Sequence, residues 1–458
     1  MKKSTYVCSN CGYEMAGFMG KCPECGSWGT MEEKRIDTKK NNRISSSQAY
    51  VKKNTKRLLD VETRNSDRII TNMSEFNRVM GGGIVKDSIT ILAAKPGAGK
   101  STLLLQVANE LASIGMKVLY ASGEESESQI KSRADRILRK IHSNLWVVSD
   151  NSMDNVLENI GEIDPDLIII DSIQTFTLDE FPSSRAGSPT QTMECAYELV
   201  KVAKNPERPR AVLVIGQMTK DDEIAGVRAL EHLVDTVLII EGESGEELRT
   251  LLATKNRYGS TGEMGFFNMT EEGMVSIDNP SEYFMTHREG NFVSGSCLTV
   301  VREGTRPIIL EIESLVSDSF TPYPSRIGES LKREQLNTLV SILEQRGGIK
   351  LFDKNVVIKT TGGIRLKEQS SNLAVIMSIV SSVFEIGIPS DCVFISDVGL
   401  TGELKKVPAL ESRLREVDRM GFSRAYIATG HGKGIKTNNL KIIELRTLKD
   451  VINHVYKD

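Results

Sequence analysis

The chain has 458 residues, 39% hydrophobic and 26% charged, an ordinary globular composition with length for two or three cores, which excludes a single-core domain. A formal net charge of −3 excludes a global basic field, so nucleic acid must be met by local patches or by a ring of several copies. The first residues carry no apolar signal core, and no apolar run approaches the roughly 18 residues of a membrane span, so a soluble, cytoplasmic protein without membrane partners is expected.

Residues 1–30 form a cysteine and glycine module. Cys8 and Cys11, then Cys22 and Cys25, make two C-x-x-C knuckles whose spacing lets four thiolates close a tetrahedron around Zn²⁺. Gly12, Gly20 and Gly26 supply the backbone freedom that knuckles need, and so short a module buries too little core to fold without its metal. Such ribbons bind DNA, RNA or protein. Residues 31–60 are polar, with nine Lys/Arg against three acids between Glu32 and Arg57, the composition of a basic flexible linker.

From 61 to 275, strand-like runs at 88–94, 117–121, 167–171, 210–216, 236–240 and 248–254 alternate with helical stretches at 101–114, 127–139 and 192–204. That alternation predicts an α/β domain with a parallel, helix-covered sheet. Ala94-Lys95-Pro96-Gly97-Ala98-Gly99-Lys100-Ser101, followed by Thr102, sits between a strand and a helix, the context of a Walker A loop, with Ala94 where the pattern usually has Gly. Its backbone N–H groups and the helix N-terminus suit the phosphates of ATP, Lys100 the β/γ-phosphates, and the Ser101 hydroxyl Mg²⁺. The apolar run ending in Asp171 is the matching Walker B strand, whose carboxylate supports the Mg²⁺ shell. Glu124 and Glu125, after the strand at 117–121, are both candidates for the base that handles the attacking water. Gln217 ends another strand and is the candidate γ-phosphate sensor.

A second alternating region, 283–458, has strand-like runs at 298–302, 308–312 and 393–396 and helices at 333–345, 373–384 and 410–420. It predicts a separate α/β domain.

With these residues in view, the chain resembles the bacterial RadA (Sms) family of DNA-repair proteins along nearly its whole length. The resemblance rests on the four-cysteine ribbon, Gly81-Gly82-Gly83, Ser122-Gly123-Glu124-Glu125-Ser126, Thr219-Lys220, Ile224-Ala225-Gly226, the run Leu230 to Asp235, and Lys255-Asn256-Arg257-Tyr258-Gly259, which is similar to the family's KNRFG signature with Tyr for Phe. Departures are Ala94, Gln217 where the family often has His, and Val227 where it often has Pro. The resemblance implies a RecA-like hexameric motor that hydrolyses ATP on single-stranded DNA and, with RecA recombinase, extends branched recombination intermediates. Lys255 and Arg257, two apart on an extended strand, then leave one face and suit a neighbour's γ-phosphate in trans. Lys220 and Arg228 flank the loop that faces the channel in RecA-like rings and are candidate DNA contacts.

The C-terminal region resembles the proteolytic domain of Lon proteases, notably at Val398-Gly399-Leu400-Thr401-Gly402-Glu403-Leu404 and the helix at 371–384. Lon chemistry needs a serine activated by a lysine. The serine position falls at Ser370, or one residue on at Ser371, and the lysine position at Glu411, which a carboxylate cannot serve. A non-proteolytic scaffold is therefore expected, with Lys350, Lys359, Arg365 and Lys367 as candidate phosphate partners. Two rivals to the DNA motor follow from the same features: a regulatory RecA-superfamily ATPase acting on proteins, and an ATP-dependent protease.

Overall fold

The structure is a computed structural model that describes residues 4–9, 14–15, 19–35, 57–60, 68–217, 227–242, 245–286, 288 and 292–456. It divides into two compact units, Met1–Arg64 and Asn65–Asp458.

In the first unit, β1 (Ser4–Cys8) pairs antiparallel with both β2 (Glu14–Met15) and β3 (Met31–Arg35), with Cys8 opposite Met31. The ribbon thus extends to Arg35, five residues into the stretch expected as linker, because both edges of β1 find a partner.

The second unit opens with a small antiparallel pair, β4 (Arg68–Ile69) and β5 (Ile84–Val85), around helix α1 (Ser74–Val79). Next come β6 (Ile89–Ala94), α2 (Lys100–Ser113), β7 (Val118–Ser122), α3 (Glu127–Ile137), β8 (Leu145–Ser149), α4 (Met153–Ile163) and β9 (Leu167–Asp171). They are followed by α5 (Pro189–Ala203), β10 (Ala211–Gln217), α6 (Val227–Leu233), β11 (Thr236–Glu241), β12 (Leu248–Asn256), β13 (Met264–Thr270) and β14 (Gly273–Ser276). The nine strands form one sheet in the order β14-β13-β12-β11-β6-β10-β9-β7-β8, parallel from β11 to β8 and antiparallel from β12 to β14.

The continuous apolar runs of β6 and β9 follow from this topology. Helices cover both faces, so every residue of either strand is buried. α2 buries Leu103, Leu104, Val107, Leu111 and neighbours against one face. α3 begins on a capping box, Ser126 with Gln129, which aims the chain away from the sheet after Glu125. The register places Gln217 opposite Ala94 and Ser122 opposite Asp171, so the carboxyl ends of β6, β7, β9 and β10 converge on one edge.

After α7 (Pro280–Tyr283), a second sheet is built from β15 (Ser296–Glu303), β16 (Arg306–Asp318), β17 (Arg326–Gly328), β18 (Lys354–Thr360) and β19 (Cys392–Phe394), with α8 (Arg333–Ile342) and α9 (Asn372–Phe384) between them. A hairpin of β20 (Asp397–Val398) and β21 (Leu404–Lys405), α10 (Leu410–Arg419), β22 (Arg424–Ala428), β23 (Lys441–Leu445) and α11 (Leu448–Tyr456) complete it. Its strand order is β17-β18-β16-β15-β19-β22-β23. α9 is buried from Asn372 to Ser381, which is why its sequence is apolar on every side. The α/β class expected from alternation is the class observed. The half-buried β8, the β13-β14 hairpin, β17, β18, β22 and β23 carried no clean periodicity and were not legible as strands.

Candidate nucleotide site

The phosphate loop leaves β6 at Ala94. Gly97 and Gly99 take positive φ of 79° and 104°, the left-handed region that favours glycine, and the Met269 methyl packs against Gly99 where a side chain would stand. Lys95, Pro96 and Gly97 are exposed at the tip, Ala98 is buried, and Ser101 and Thr102 open α2 half-buried. The Lys100 ammonium donates to the carbonyls of Ala94, at 2.9 Å, and Lys95, at 3.2 Å, so it already lies along the loop that would hold phosphate. Burial lowers its pKa, against the attraction of Asp171 and Glu124.

Asp171 ends β9 almost fully buried. Burial raises its pKa, opposed by hydrogen bonds from the Tyr120 hydroxyl, at 2.6 Å, and the Ser101 hydroxyl. Ser101, in the first turn of α2, acts on the Asp171 carboxylate at the end of β9, so the two expected Mg²⁺ groups stand on neighbouring elements and offer the oxygen donors a hard cation takes.

Glu124 and Glu125 diverge. Glu124 is exposed at the converging strand ends, and its Oε1 accepts from the Ser172 hydroxyl and from the Gln217 amide at 2.8 Å. Glu125 turns the other way and pairs with Arg133 of α3. Gln217, expected at the γ-phosphate, here holds the Glu124 carboxylate. Sequence reasoning missed Tyr120 and Ser172. Ser172 was legible as the residue directly after the Walker B aspartate; Tyr120 gave no signal.

Lys255 lies on β12, and Arg257 follows one residue beyond its end. The Lys255 ammonium donates to the Glu231 carbonyl, and its pKa is lowered by burial and by Arg257. The half-exposed Arg257 pairs at 3.1 Å with Asp235, a buried carboxylate that also accepts from Lys204 and from Ile89 N at the base of β6. Between the two cations, Asn256 is buried and donates to the Val79 carbonyl, which ties the loop to α1.

In the ribbon, the sulfurs of Cys8, Cys22 and Cys25 lie within 4.8 Å of one another, with Cys8 and Cys25 at 3.7 Å. A tetrahedral site with Zn–S bonds of about 2.3 Å has S···S edges of about 3.8 Å, so these thiols fit zinc. Cys11 lies outside the described residues. So does Lys220; Arg228 lies on α6, its side chain also outside them.

In the second sheet, Ser370 is buried and its hydroxyl donates to Glu368 Oε2 at 3.0 Å. The same oxygen accepts from the fully buried Arg413 at 2.6 Å, and Arg413 also donates to the Val300 and Pro408 carbonyls. Glu411, where the Lon alignment put the lysine position, is exposed and pairs with Arg415. The cation that faces the serine network is therefore Arg413, two residues further along α10. Ser371 bonds the Glu368 carbonyl at 2.9 Å.

The four C-terminal basic candidates fall in different settings. Lys350 is exposed ahead of β18, and Lys359 pairs with Glu313 at 3.1 Å. Arg365 and Lys367 line a cavity of about 310 Å³ shared with Glu241, Glu246 and Glu303. Among the described residues no helix is long and apolar enough to cross a membrane.

Residues 53–223 match the AAA domain family and residues 6–33 the rubredoxin metal binding domain family. The chain is similar along its length to proteins named DNA repair protein RadA. It is 41% identical to that of Bacillus subtilis over 455 residues, covering 98% of each chain. It is 39% identical to that of Halalkalibacterium halodurans, covering 98% of each, and 39% identical to that of Listeria monocytogenes, covering 100% of this chain and 99% of the other.

Proposed function

Because the chain belongs to the RadA family of DNA-repair proteins, with a RecA-superfamily ATPase domain, we propose that it is a Mg²⁺-dependent, DNA-stimulated ATPase that works as a hexameric ring. On single-stranded DNA it drives branch migration of recombination intermediates together with a RecA recombinase. The observation that carries this reading is the convergence of Lys100, Ser101, Asp171 and Glu124 on one sheet edge, with Gln217 and Ser172 fixing the carboxylate.

Lys100 and the loop N–H groups bind the β- and γ-phosphates of ATP, and Ser101 and Asp171 are the residues to hold Mg²⁺. Bound there, the ion neutralises charge on the phosphate oxygens. Glu124 orients the attacking water through its free oxygen and takes its proton, giving ADP and phosphate. Arg257, exposed just beyond β12, and the half-buried Lys255 near its end serve the nucleotide of the neighbouring protomer, which couples hydrolysis to motion between subunits. Lys220 and Arg228 face DNA in the channel. Lys350, Lys359, Arg365 and Lys367 contact phosphate on the C-terminal domain, Lys359 after release from Glu313. Zinc, held by Cys8, Cys11, Cys22 and Cys25, folds the ribbon. The Ser370 hydroxyl faces a carboxylate whose charge Arg413 already matches, and Glu411 stands where the Lon pattern needs its lysine, which favours a non-proteolytic scaffold.

The test is ATP hydrolysis by the full chain with and without single-stranded DNA at two salt concentrations, beside Lys100→Ala and Arg257→Ala. Stimulation that weakens with salt and disappears in both variants supports the motor. Turnover indifferent to DNA, with no DNA binding, overturns it.

A further inference from the structure

The two sheets of the second unit meet across a buried ion pair. Glu75 of α1 is 4% exposed, and both its carboxylate oxygens accept from the Nη1 of Arg306, at 2.7 and 2.9 Å. Arg306 is the first residue of β16, in the C-terminal sheet. Its other nitrogen donates to the Asp278 carbonyl at 2.8 Å, and Glu75 also accepts from Phe266 N of β13 at 2.9 Å. One end of α1 is thus fixed to the C-terminal domain by a buried charge whose ion-pair partner among the described residues is Arg306, and burial makes such a pair costly to open.

The other end of α1 supports the loop that carries Arg257. The Val79 carbonyl accepts from Asn256 Nδ2 at 3.3 Å, and Asn256 Oδ1 in turn accepts from Tyr258 N at 2.9 Å. Arg68 donates to the Tyr258 carbonyl at 2.6 Å. Gly81, just beyond α1, and Gly259 lie so close that a side chain at either would meet the other's backbone at about 3 Å. Both residues flanking Arg257 are therefore held by α1 and its immediate neighbours. Along its length α1 packs closely on Gly265 of β13, where an added Cβ would lie 2.8 Å from the Glu75 carbonyl and 2.9 Å from a Val79 methyl.

From this continuous chain of contacts we infer that Arg306 is a positioning residue for Arg257. Through Glu75, α1 and Asn256, the C-terminal domain sets where the guanidinium stands relative to the neighbouring protomer's nucleotide. The inference rests on the proposed trans role of Arg257. It makes the C-terminal domain a determinant of hydrolysis rate, without any contact of its own to ATP.

The experiment is a double-mutant cycle on the full chain, with kcat and KM for ATP measured in the presence of single-stranded DNA. Arg306→Gln is expected to lower kcat on the order of ten- to a hundredfold with KM little changed, the effect of a small misplacement far from the chemistry. Arg306→Lys, which keeps the charge on Glu75, is expected to regain most of that loss. In an Arg257→Ala background, Arg306→Gln is expected to cost nothing more, because the group it positions is gone. Losses that multiply in the double variant, or an Arg306→Gln enzyme with unchanged kcat, overturn the inference. Should Arg306→Gln fail to fold, Arg306→Lys carries the same cycle with a smaller loss, read in the same way. An Arg257→Ala enzyme with normal turnover would instead defeat the trans role on which the inference stands.

Discussion

Two carboxylates in the second unit have nearly the same immediate chemistry and opposite consequences. Glu124 accepts a hydroxyl from Ser172 and an amide from Gln217; Glu368 accepts a hydroxyl from Ser370 and the guanidinium of Arg413. Around Glu124 the donors are neutral, the carboxylate is exposed, and the nearby cation, Lys100, rests on loop carbonyls that a phosphate would displace. Around Glu368 the charge is already matched by Arg413, which is wholly buried and spends its remaining nitrogens on backbone carbonyls. A site prepared for chemistry keeps its electrostatic demand open toward a substrate; a scaffold closes it internally.

The strongest way to break this contrast is to remove charge from each site in turn. Glu124→Gln is expected to lower turnover on the order of 10²- to 10⁴-fold while ATP still binds, as measured by steady-state hydrolysis beside equilibrium nucleotide binding. Glu125→Gln, which loses only the partner of Arg133, should keep turnover within a few-fold, and the reverse ranking would transfer the role of base to Glu125. In the closed site, Arg413→Met leaves Glu368 without its partner and should destabilise the C-terminal domain by about 3 kcal/mol in urea unfolding. The fraction that remains folded should still bind ATP.

A smaller effect sharpens the same comparison through pH. Burial holds the Lys100 ammonium below its ordinary 10.5, so its proton is lost earlier as pH rises, and with it the charge that faces phosphate. The alkaline fall of kcat/KM for ATP, which reports the free enzyme, should therefore begin below 10.5; a fall only above that value would contradict the open site described here. Smallest of all, Ser370→Ala removes one hydrogen bond and should cost about 1 kcal/mol or less, with casein left uncleaved by both forms in the presence of ATP. ATP-dependent cleavage that vanishes in Ser370→Ala would mean that the closed site opens.

The phosphate loop, the Walker B strand and the zinc knuckles were legible in the sequence because each is a contiguous spacing whose chemistry is local. Most strands of the first sheet were legible for a related reason, since a strand buried on both faces carries an unbroken apolar run. β8 and the β13-β14 hairpin, whose residues are partly exposed or interrupted by polar positions, carried no such mark. The ribbon's third strand was hidden in a charged stretch, because a strand in so small a module pairs through its backbone.

What the sequence by itself determined is therefore the set of groups: four thiols, a lysine, an aspartate and two adjacent glutamates in the right order. Only the tertiary structure decided which of them face one another. Glu124 and Glu125 are neighbours in the chain, yet Arg133 of α3 draws one away and Ser172 of β9's end holds the other. Glu411 and Arg413 lie two apart on one helix, about 200° around its axis, so packing alone chose which reaches Glu368. Glu75 and Arg306 are 231 residues apart, and no local pattern marks either one. Spacing along a chain fixes which groups are near in sequence, whereas side-chain direction is set by the partners that folding brings from elsewhere.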